Sequence, residues 1–201
     1  MKSVIIASKN AGKVAEFEKL FAGLDVTVRS LLDFPDAPDV EETGKTFQEN
    51  ARLKAEAIAT AYGMLVIADD SGLAVDALDG RPGVFSARYA GLEKNDRKNI
   101  EKLLKELKGI PFERRTARFC CVLAVSGPGR PTRFVEGECR GYIAEAPSGT
   151  GGFGYDPVFY VPEKGMTFAE MPAQVKNQIS HRAKAMEKLL AVWPEIVRDG
   201  E

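Results

Sequence analysis

The first third of the chain alternates a short apolar run with stretches in which apolar residues recur at helical spacing. Val4 to Ala7 predicts a short buried strand, and Gly12 to Phe21 predicts an amphipathic helix. After a loop, Thr43 or Thr46 can cap a long helix that is expected to end near Tyr62. The chain therefore opens with the strand, loop and helix order that is typical of α/β proteins.

The rest of the chain is predicted to add two helices and several strands. Met64 to Ala68 predicts a buried strand that ends in the pair Asp69-Asp70, and Asn95 to Leu107 has a single apolar helical stripe. A last helix is expected to begin near Ser180 and to bury four residues, namely Ala183, Met186, Leu189 and Leu190. β-branched and apolar residues predict four further strands, at 116–126, 132–139, 141–146 and 158–161.

These elements predict an α/β fold with a mixed β-sheet flanked by helices, in which an early parallel pair of strands precedes an antiparallel run. With 201 residues, of which 44% are hydrophobic, the chain is expected to form one domain over residues 1–201. The sequence contains no apolar run long enough for a signal peptide or a membrane span, so a cytoplasmic protein is expected.

Charge and histidine content exclude several classes of partner. The net charge of -1 and the pI near 6.0 provide no general attraction for nucleic acid or for an anionic membrane, so a phosphate site would have to be local. His181 is the only histidine, which excludes sites that need several imidazoles.

The segment Ser8-Lys9-Asn10-Ala11-Gly12-Lys13 leaves the first strand and enters the first helix. Backbone N–H groups and the helix dipole favour an anion there, and Lys13 adds a full positive charge. A P-loop would require Gly at position 7 and Ser or Thr at position 14, where this chain has Ala7 and Val14. A phosphate-binding loop and an ordinary polar connection are both compatible with this segment.

The pair Asp69-Asp70 follows a predicted strand, so we expect one carboxylate to enter a site while the other holds a turn. Magnesium commonly takes one or two protein carboxylates together with substrate phosphates, and Glu41-Glu42 can supply a second ligand. Acidic pairs also begin turns without any metal, and this alternative stays open.

Lys54 falls within the apolar stripe of the helix that ends near Tyr62, with Asn50 at the edge of the stripe. A lysine at such a position can extend its ammonium group to water. The alternative is an enclosed lysine that neutralises a phosphate and stabilises the charge that develops during phosphoryl cleavage.

Two late segments are candidates for contacts with a base and sugar. The glycine-rich segment from Gly149 to Asp156 suits a backbone that approaches a flat ligand closely, with Phe153 available to stack, although a flexible hairpin has the same composition. Ser180 is a natural N-cap, which places His181 and Arg182 in the first helical turn. Their donors can face a ligand carbonyl or phosphate there, or they can be ordinary surface residues.

Six segments, taken together and in order, closely resemble the inosine/xanthosine triphosphate pyrophosphatase family. They extend over nearly the whole chain, and their order makes the resemblance specific. The chain departs from the family at Met171 to Val175, where relatives are more acidic before the lysine matched by Lys176. The six segments are Ser8 to Glu16, Glu41 to Lys54, Ala68 to Leu73, Pro82 to Tyr89, Gly151 to Pro157 and Ser180 to Arg182.

The resemblance implies a two-lobed fold with a long mixed sheet and a central cleft, a homodimer, and Mg²⁺-dependent hydrolysis of ITP, dITP and XTP to monophosphate and pyrophosphate. It also implies that Asp70 is the general base and a metal ligand, that Glu41 or Glu42 lies near the metal, and that Lys54 assists catalysis. The residues implied to bind the substrate are Ser8, Lys9, Asn10, Ala11, Gly12, Lys13, Ser71, Phe153, Gly154, Tyr155, Asp156, Lys176, His181 and Arg182.

Two alternatives belong to different functional classes. One is a Maf-like nucleotide pyrophosphatase that prefers pyrimidine or modified nucleotides. The other is a protein without catalysis, either a nucleotide sensor or an RNA-binding module. The acidic balance of the chain argues against RNA binding, and the acidic and lysine positions named above argue against a sensor.

Overall fold

A computed structural model of the chain describes residues 2–198 and contains seven β-strands and five α-helices within that range. The strands are β1 (Lys2–Ile6), β2 (Val26–Ser30), β3 (Leu65–Val75), β4 (Thr116–Ser126), β5 (Arg133–Ile143), β6 (Phe159–Val161) and β7 (Met166–Thr167). The helices are α1 (Ala11–Phe21), α2 (Phe47–Tyr62), α3 (Asp96–Glu106), α4 (Ala173–Ile179) and α5 (His181–Arg198).

The strands form one sheet in the order β2-β1-β3-β4-β5-β6-β7. Strand β1 pairs in parallel with both β2 and β3, whereas β6 pairs antiparallel with β5 and with β7. The predicted α/β class, with a mixed sheet and flanking helices, is therefore confirmed.

The helix ends follow the local chemistry of the chain. Thr46 caps α2 by accepting a hydrogen bond from the Glu49 N–H at 3.1 Å, and Gly63 ends the helix in a left-handed conformation that glycine adopts without strain. Asn10 and Asn95 cap α1 and α3 in the same way as Thr46. The predicted helix is thus confirmed, because α2 is capped by Thr46 and ends at Tyr62.

The described chain divides into two compact units. The first unit comprises the start of the chain to Asp70 together with 122–136 and the part from Ala185 onwards, and the second comprises 71–121 and 137–184. In the first unit, one face of α2 buries Ala51, Ala55 and Ile58 against residues of β1, β3 and β4. In the second, a separate core gathers around five large side chains, namely Leu73, Leu103, Phe119, Phe159 and Phe168.

Three predictions about the strands and the last helix are wrong. Strand β3 does not end at Asp69-Asp70 but continues to Val75. The two strands predicted at 132–139 and 141–146 are one strand, β5. Of the four residues that α5 is predicted to bury, Met186 and Leu189 are buried and Ala183 is half-buried, but Leu190 is 37% exposed. Trp193 and Ile196 continue the buried face instead. No helix within residues 2–198 has both the length and the apolar character needed to cross a membrane.

Candidate active site

Two side chains fix the conformation of the loop that enters α1. Ser8 Oγ accepts a hydrogen bond from the Asn10 N–H at 3.1 Å, and Asn10 Oδ1 accepts one from the Lys13 N–H at 3.1 Å. Residues Lys9 to Gly12 are exposed, so the first turn of the helix is accessible to a ligand. Backbone N–H groups at such a position suit an anion.

Lys13, in the first turn of α1, forms an ion pair with Asp69. Its Nζ atom donates to both carboxylate oxygens, at 3.1 and 2.9 Å, and Asp69 is only 6% exposed. The prediction that one member of the Asp69-Asp70 pair holds a turn is wrong, because β3 runs straight through both residues. Each carboxylate instead lies beside a lysine.

Lys54 is the lysine beside Asp70. Its Nζ atom donates to the backbone oxygen of Asp69 at 2.6 Å, pairs with Glu42 at 2.8 Å, and lies 4.0 Å from Asp70 Oδ1. The Lys54 side chain is 19% exposed, and its ammonium group is surrounded by acceptors. The structure therefore excludes a lysine whose charge is simply solvated.

Asn50 fixes the loop that carries Glu42. The fully buried Asn50 side chain accepts a hydrogen bond from the Gly44 N–H at 2.7 Å. A Cβ atom at Gly44 would lie 2.6 Å from Asn50 Oδ1, so a side chain does not fit at this position. The contact holds Glu42, two residues before Gly44, in a loop packed against the start of α2.

Burial and nearby charges shift two pKa values in this group. Burial raises the pKa of Asp70 from 3.8 to about 6; the Lys54 charge opposes this shift, and the Glu42 charge adds to it. Proximity to the Asn50 amide lowers this pKa slightly, although Asn50 Nδ2 and Asp70 Oδ2 are too poorly placed for a hydrogen bond. Burial lowers the pKa of Lys54, but the charges of Asp69, Asp70 and Glu42 outweigh burial, so its net pKa is raised.

Glu41 and Glu42 differ in position. Glu42 contacts Lys54, whereas the Glu41 side chain is exposed, so the geometry favours Glu42 as the acidic neighbour of Asp70. Within residues 2–198, no three His, Cys, Asp or Glu side chains converge tightly enough to form a metal site by themselves. Any magnesium ion here would thus need oxygen ligands from water or a substrate, which is common for this ion.

The second unit holds the late candidates, of which Phe153 and Lys176 contact Asp156. Lys176 Nζ donates to Asp156 Oδ2 at 2.5 Å and lies 5.3 Å from the centre of the Phe153 ring. Asp156 Oδ2 also accepts the Phe153 N–H at 3.1 Å. Asp156 is buried, whereas Phe153 is 60% exposed. An exposed aromatic ring on a fixed backbone is available for stacking on a flat ligand.

Gly149 and Gly152 in this loop are required by contacts within the protein itself, whereas a Cβ atom at Gly154 would meet no other atom within 4 Å. A Cβ atom at Gly149 would lie 2.5 Å from the backbone of Ala169, and one at Gly152 would lie 2.0 Å from Asp156 Oδ2. The interpretation that these glycines allow close approach of a ligand is therefore unnecessary, because the chain's own atoms already occupy that space. The remaining loop candidates are tethered to other elements: the Gly154 N–H donates to Asp96, and the Tyr155 hydroxyl donates to the Ser86 backbone oxygen.

Ser180 precedes α5 and accepts a hydrogen bond from the Ala183 N–H at 3.1 Å, as an N-cap does. His181 and Arg182 follow in the first turn and are 8% and 7% exposed, so they are not ordinary surface residues. The His181 ring stacks on Phe119 with 4.9 Å between the ring centres.

Ser71, the last candidate, follows Asp70 within β3 and is half-buried. No local pattern of residues predicts the roles of Asp69, Gly44 and Asp96. Only Asn50 gave a signal, because a polar residue at the edge of an apolar stripe requires a partner.

The fold is that of solved Ham1 proteins. The Ham1 protein of Staphylococcus aureus superimposes with a TM-score of 0.91 at 48% identity, covering 96% of this chain and 99% of that one. The nucleoside-triphosphatase, dITP/XTP pyrophosphatase, of Mycobacterium abscessus gives a TM-score of 0.82 at 41% identity, covering 94% and 98% of the two chains.

Sequence comparison agrees with this fold assignment. The Ham1 family model matches residues 4–192, and the chain belongs to that family. The dITP/XTP pyrophosphatase of Geobacillus kaustophilus is 68% identical over 197 residues, which are 98% of this chain and 97% of that protein. The Bacillus subtilis protein of the same name is 57% identical over 189 residues, covering 94% and 96% of the two chains. The resemblance to a triphosphate pyrophosphatase family is thereby confirmed.

Proposed function

We propose that this protein hydrolyses nonstandard purine nucleoside triphosphates, namely ITP, dITP and XTP, to the monophosphate and pyrophosphate, and so cleanses the nucleotide pool. The observation that carries the proposal is the buried group of Lys54, Asp70 and Glu42 in the same unit as Lys13 and its loop. The names of the relatives from Geobacillus kaustophilus and Bacillus subtilis support the substrate class.

We propose Mg²⁺ as the cofactor, held by Asp70 and by Glu42, with Glu41 as the alternative. Two features of the residues fit this ion. Asp70 Oδ2 is buried without a hydrogen-bond partner. Three carboxylates, including Asp69, lie beside the ammonium groups of Lys13 and Lys54, so a further cation would favour the binding of a triphosphate here. When bound, Mg²⁺ would neutralise charge on the phosphates and polarise their oxygens.

Asp70 acts as the general base in this proposal. A pKa of about 6 leaves its carboxylate ionised at neutral pH yet basic enough to orient water and accept its proton. That water attacks the α-phosphorus, and pyrophosphate leaves. Lys54 and Lys13 donate hydrogen bonds to the phosphate oxygens on which charge accumulates. The N–H groups after Ser8 hold the triphosphate at the start of α1.

We assign the base and sugar to the group in the second unit. Phe153 stacks on the base, while Asp156 and Lys176 fix the position of the loop around it. His181 or Arg182 donates to the carbonyl at purine position 6. Adenine presents an amino group there and would leave these donors unpaired, which costs about 1–3 kcal/mol per buried group.

The decisive experiment is a panel of nucleoside triphosphates assayed with and without Mg²⁺, in which pyrophosphate and orthophosphate are measured separately. We expect ITP, dITP and XTP to yield pyrophosphate only when Mg²⁺ is present, and ATP to be a poor substrate. Conversion of ITP to IDP and orthophosphate would contradict the proposal, as would an enzyme that ignores inosine nucleotides.

The same panel tests the other classes. Equal turnover of UTP and ITP would favour the Maf-like alternative, and binding of ITP without turnover would favour a sensor. We also propose, from the resemblance alone, a cytoplasmic homodimer. A molar mass from light scattering that equals one chain of 21.9 kDa would contradict the homodimer.

A further inference from the structure

We propose that Asp69 is a positioning residue that holds Lys13 in the orientation needed for binding the triphosphate. This inference rests on the proposed function. Asp69 itself does not touch the substrate in this scheme. It holds one side of the Lys13 ammonium group, and the phosphate binds to the other side of that group.

The contacts of Asp69 single it out among the acidic residues of the first unit. Both of its carboxylate oxygens accept from Lys13 Nζ, at 3.1 and 2.9 Å, across 56 positions of sequence. Its backbone oxygen accepts from Lys54 Nζ at 2.6 Å. Asp69 therefore positions both lysines from one place in β3: its carboxylate binds Lys13, and its backbone oxygen binds Lys54.

The ion pair with Asp69 fixes the orientation of the Lys13 ammonium group. Lys13 has three N–H donors, and the carboxylate of Asp69 occupies one side of the ammonium group, with its oxygens 3.1 and 2.9 Å from Nζ. Because the N–H bonds of an ammonium group point in different directions, at least one donor is directed away from the carboxylate and is available for a phosphate oxygen. A lysine on a flexible four-carbon stem would otherwise sample many orientations, whereas Asp69 is only 6% exposed and anchored in β3. The lysine thus supplies an oriented donor at a fixed place.

Asp69→Asn tests this role cleanly, because it changes only the side chain. The backbone oxygen that receives Lys54 is retained, so the variant loses only the carboxylate charge, which acts on Lys13 by direct contact and on Lys54 and Asp70 through space. A double-mutant cycle with Lys13→Met separates these effects. We expect kcat/KM for Mg²⁺–ITP to fall about 10- to 100-fold in this variant, as is usual when a catalytic contact loses its orientation. Asp36→Asn removes the same charge from an exposed loop residue of the same unit and is the matched control.

A double-mutant cycle with Lys13→Met shows whether the two residues act as one. If Asp69 works through Lys13, adding Asp69→Asn to Lys13→Met lowers kcat/KM by less than about twofold. Equal losses in the two backgrounds would overturn the proposal, because Asp69 would then act independently. An unchanged kcat/KM in Asp69→Asn would also overturn it.

A measurement without substrate separates this inference from the proposed function. The rate of acetylation of Lys13 by a reagent for amines is followed by peptide mass spectrometry, with the exposed Lys9 as an internal reference. We expect the rate at Lys13, relative to Lys9, to rise in Asp69→Asn. Equal rates in the natural and variant proteins would overturn the proposal, even if ITP proved not to be a substrate. Lack of pyrophosphate release by the natural protein, by contrast, would refute the proposed function alone.

Discussion

Replacement of Asp70 by Asn should abolish turnover and, at the same time, make the metal-free protein more stable at neutral pH. The carboxylate of Asp70 is buried, and its Oδ2 atom has no hydrogen-bond partner. The amide of Asn has nearly the same size but carries no charge. The substitution therefore removes the general base while relieving an unfavourable burial of charge.

The magnitude follows from the pKa of Asp70. Folding raises this pKa from 3.8 to about 6, a difference of about two units, and each unit corresponds to about 1.4 kcal/mol. Because the folded state holds this proton more tightly, the associated stability is fully present below pH 3.8 and is lost as the pH rises through about 6. Ionised Asp70 thus costs the folded protein about 3 kcal/mol at neutral pH, and Asp70→Asn should recover most of this amount.

Urea unfolding in the presence of a chelator, at about pH 7.5 and about pH 5, measures the effect. Near pH 5 Asp70 is mostly protonated in the folded protein. The free energy of unfolding of the natural protein should therefore be about 1.4 kcal/mol higher than at pH 7.5, and the difference in stability between Asp70→Asn and the natural protein should fall to about half. Asp36→Asn should show no such change, since its side chain is exposed. A variant that is less stable than the natural protein at pH 7.5, or an advantage that does not vary with pH, would refute the reasoning.

Three other substitutions test separate parts of the site. Lys54→Met should lower kcat at least about 100-fold and destabilise the protein by about 3 kcal/mol in urea unfolding, because Glu42 loses its buried partner. Gly44→Ala should reduce both stability, by about 1–3 kcal/mol, and kcat, since the new Cβ atom would meet Asn50 at 2.6 Å; unchanged kinetics would show that this loop does not matter for activity. Phe153→Ala should leave the urea midpoint unchanged because the ring is 60% exposed, yet raise KM for ITP about tenfold; a normal KM would exclude stacking.

Helix α2 shows what the sequence alone can predict. Its N-cap and its end near Tyr62 follow from local features, and the structure selects Thr46 from the two predicted caps and ends the helix at Tyr62. The continuation of β3 could not be predicted in this way. Asp69, Asp70 and the two residues after them are all common in turns, but lysines at positions 13 and 54 neutralise the carboxylates within the strand. Such partners are distant along the chain, so no local pattern reveals them.

Gly141 illustrates a second limit. The two strands predicted on either side of Arg140 have Gly141 as the first residue of the second, yet β5 passes through both residues. A Cβ atom there would lie 2.4 Å from the Tyr160 backbone oxygen and 2.9 Å from the Phe159 ring. The glycine is required by close approach of β6, not by a turn. The same holds for Gly149 and Gly152 in the candidate site, because neighbouring atoms of the protein occupy the space that a side chain would need.

Two residues that indicate a site from the sequence share one physical property: each is polar within or beside a stripe of apolar residues. Lys54 lies in the stripe of α2, and Asn50 lies at its edge. Burying such groups without partners would cost several kcal/mol, so their presence implies partners somewhere in the fold. The structure supplies these partners as Glu42, Asp70 and the Gly44 backbone. Violations of an amphipathic pattern thus locate a site, whereas only the tertiary structure identifies the residues that complete it.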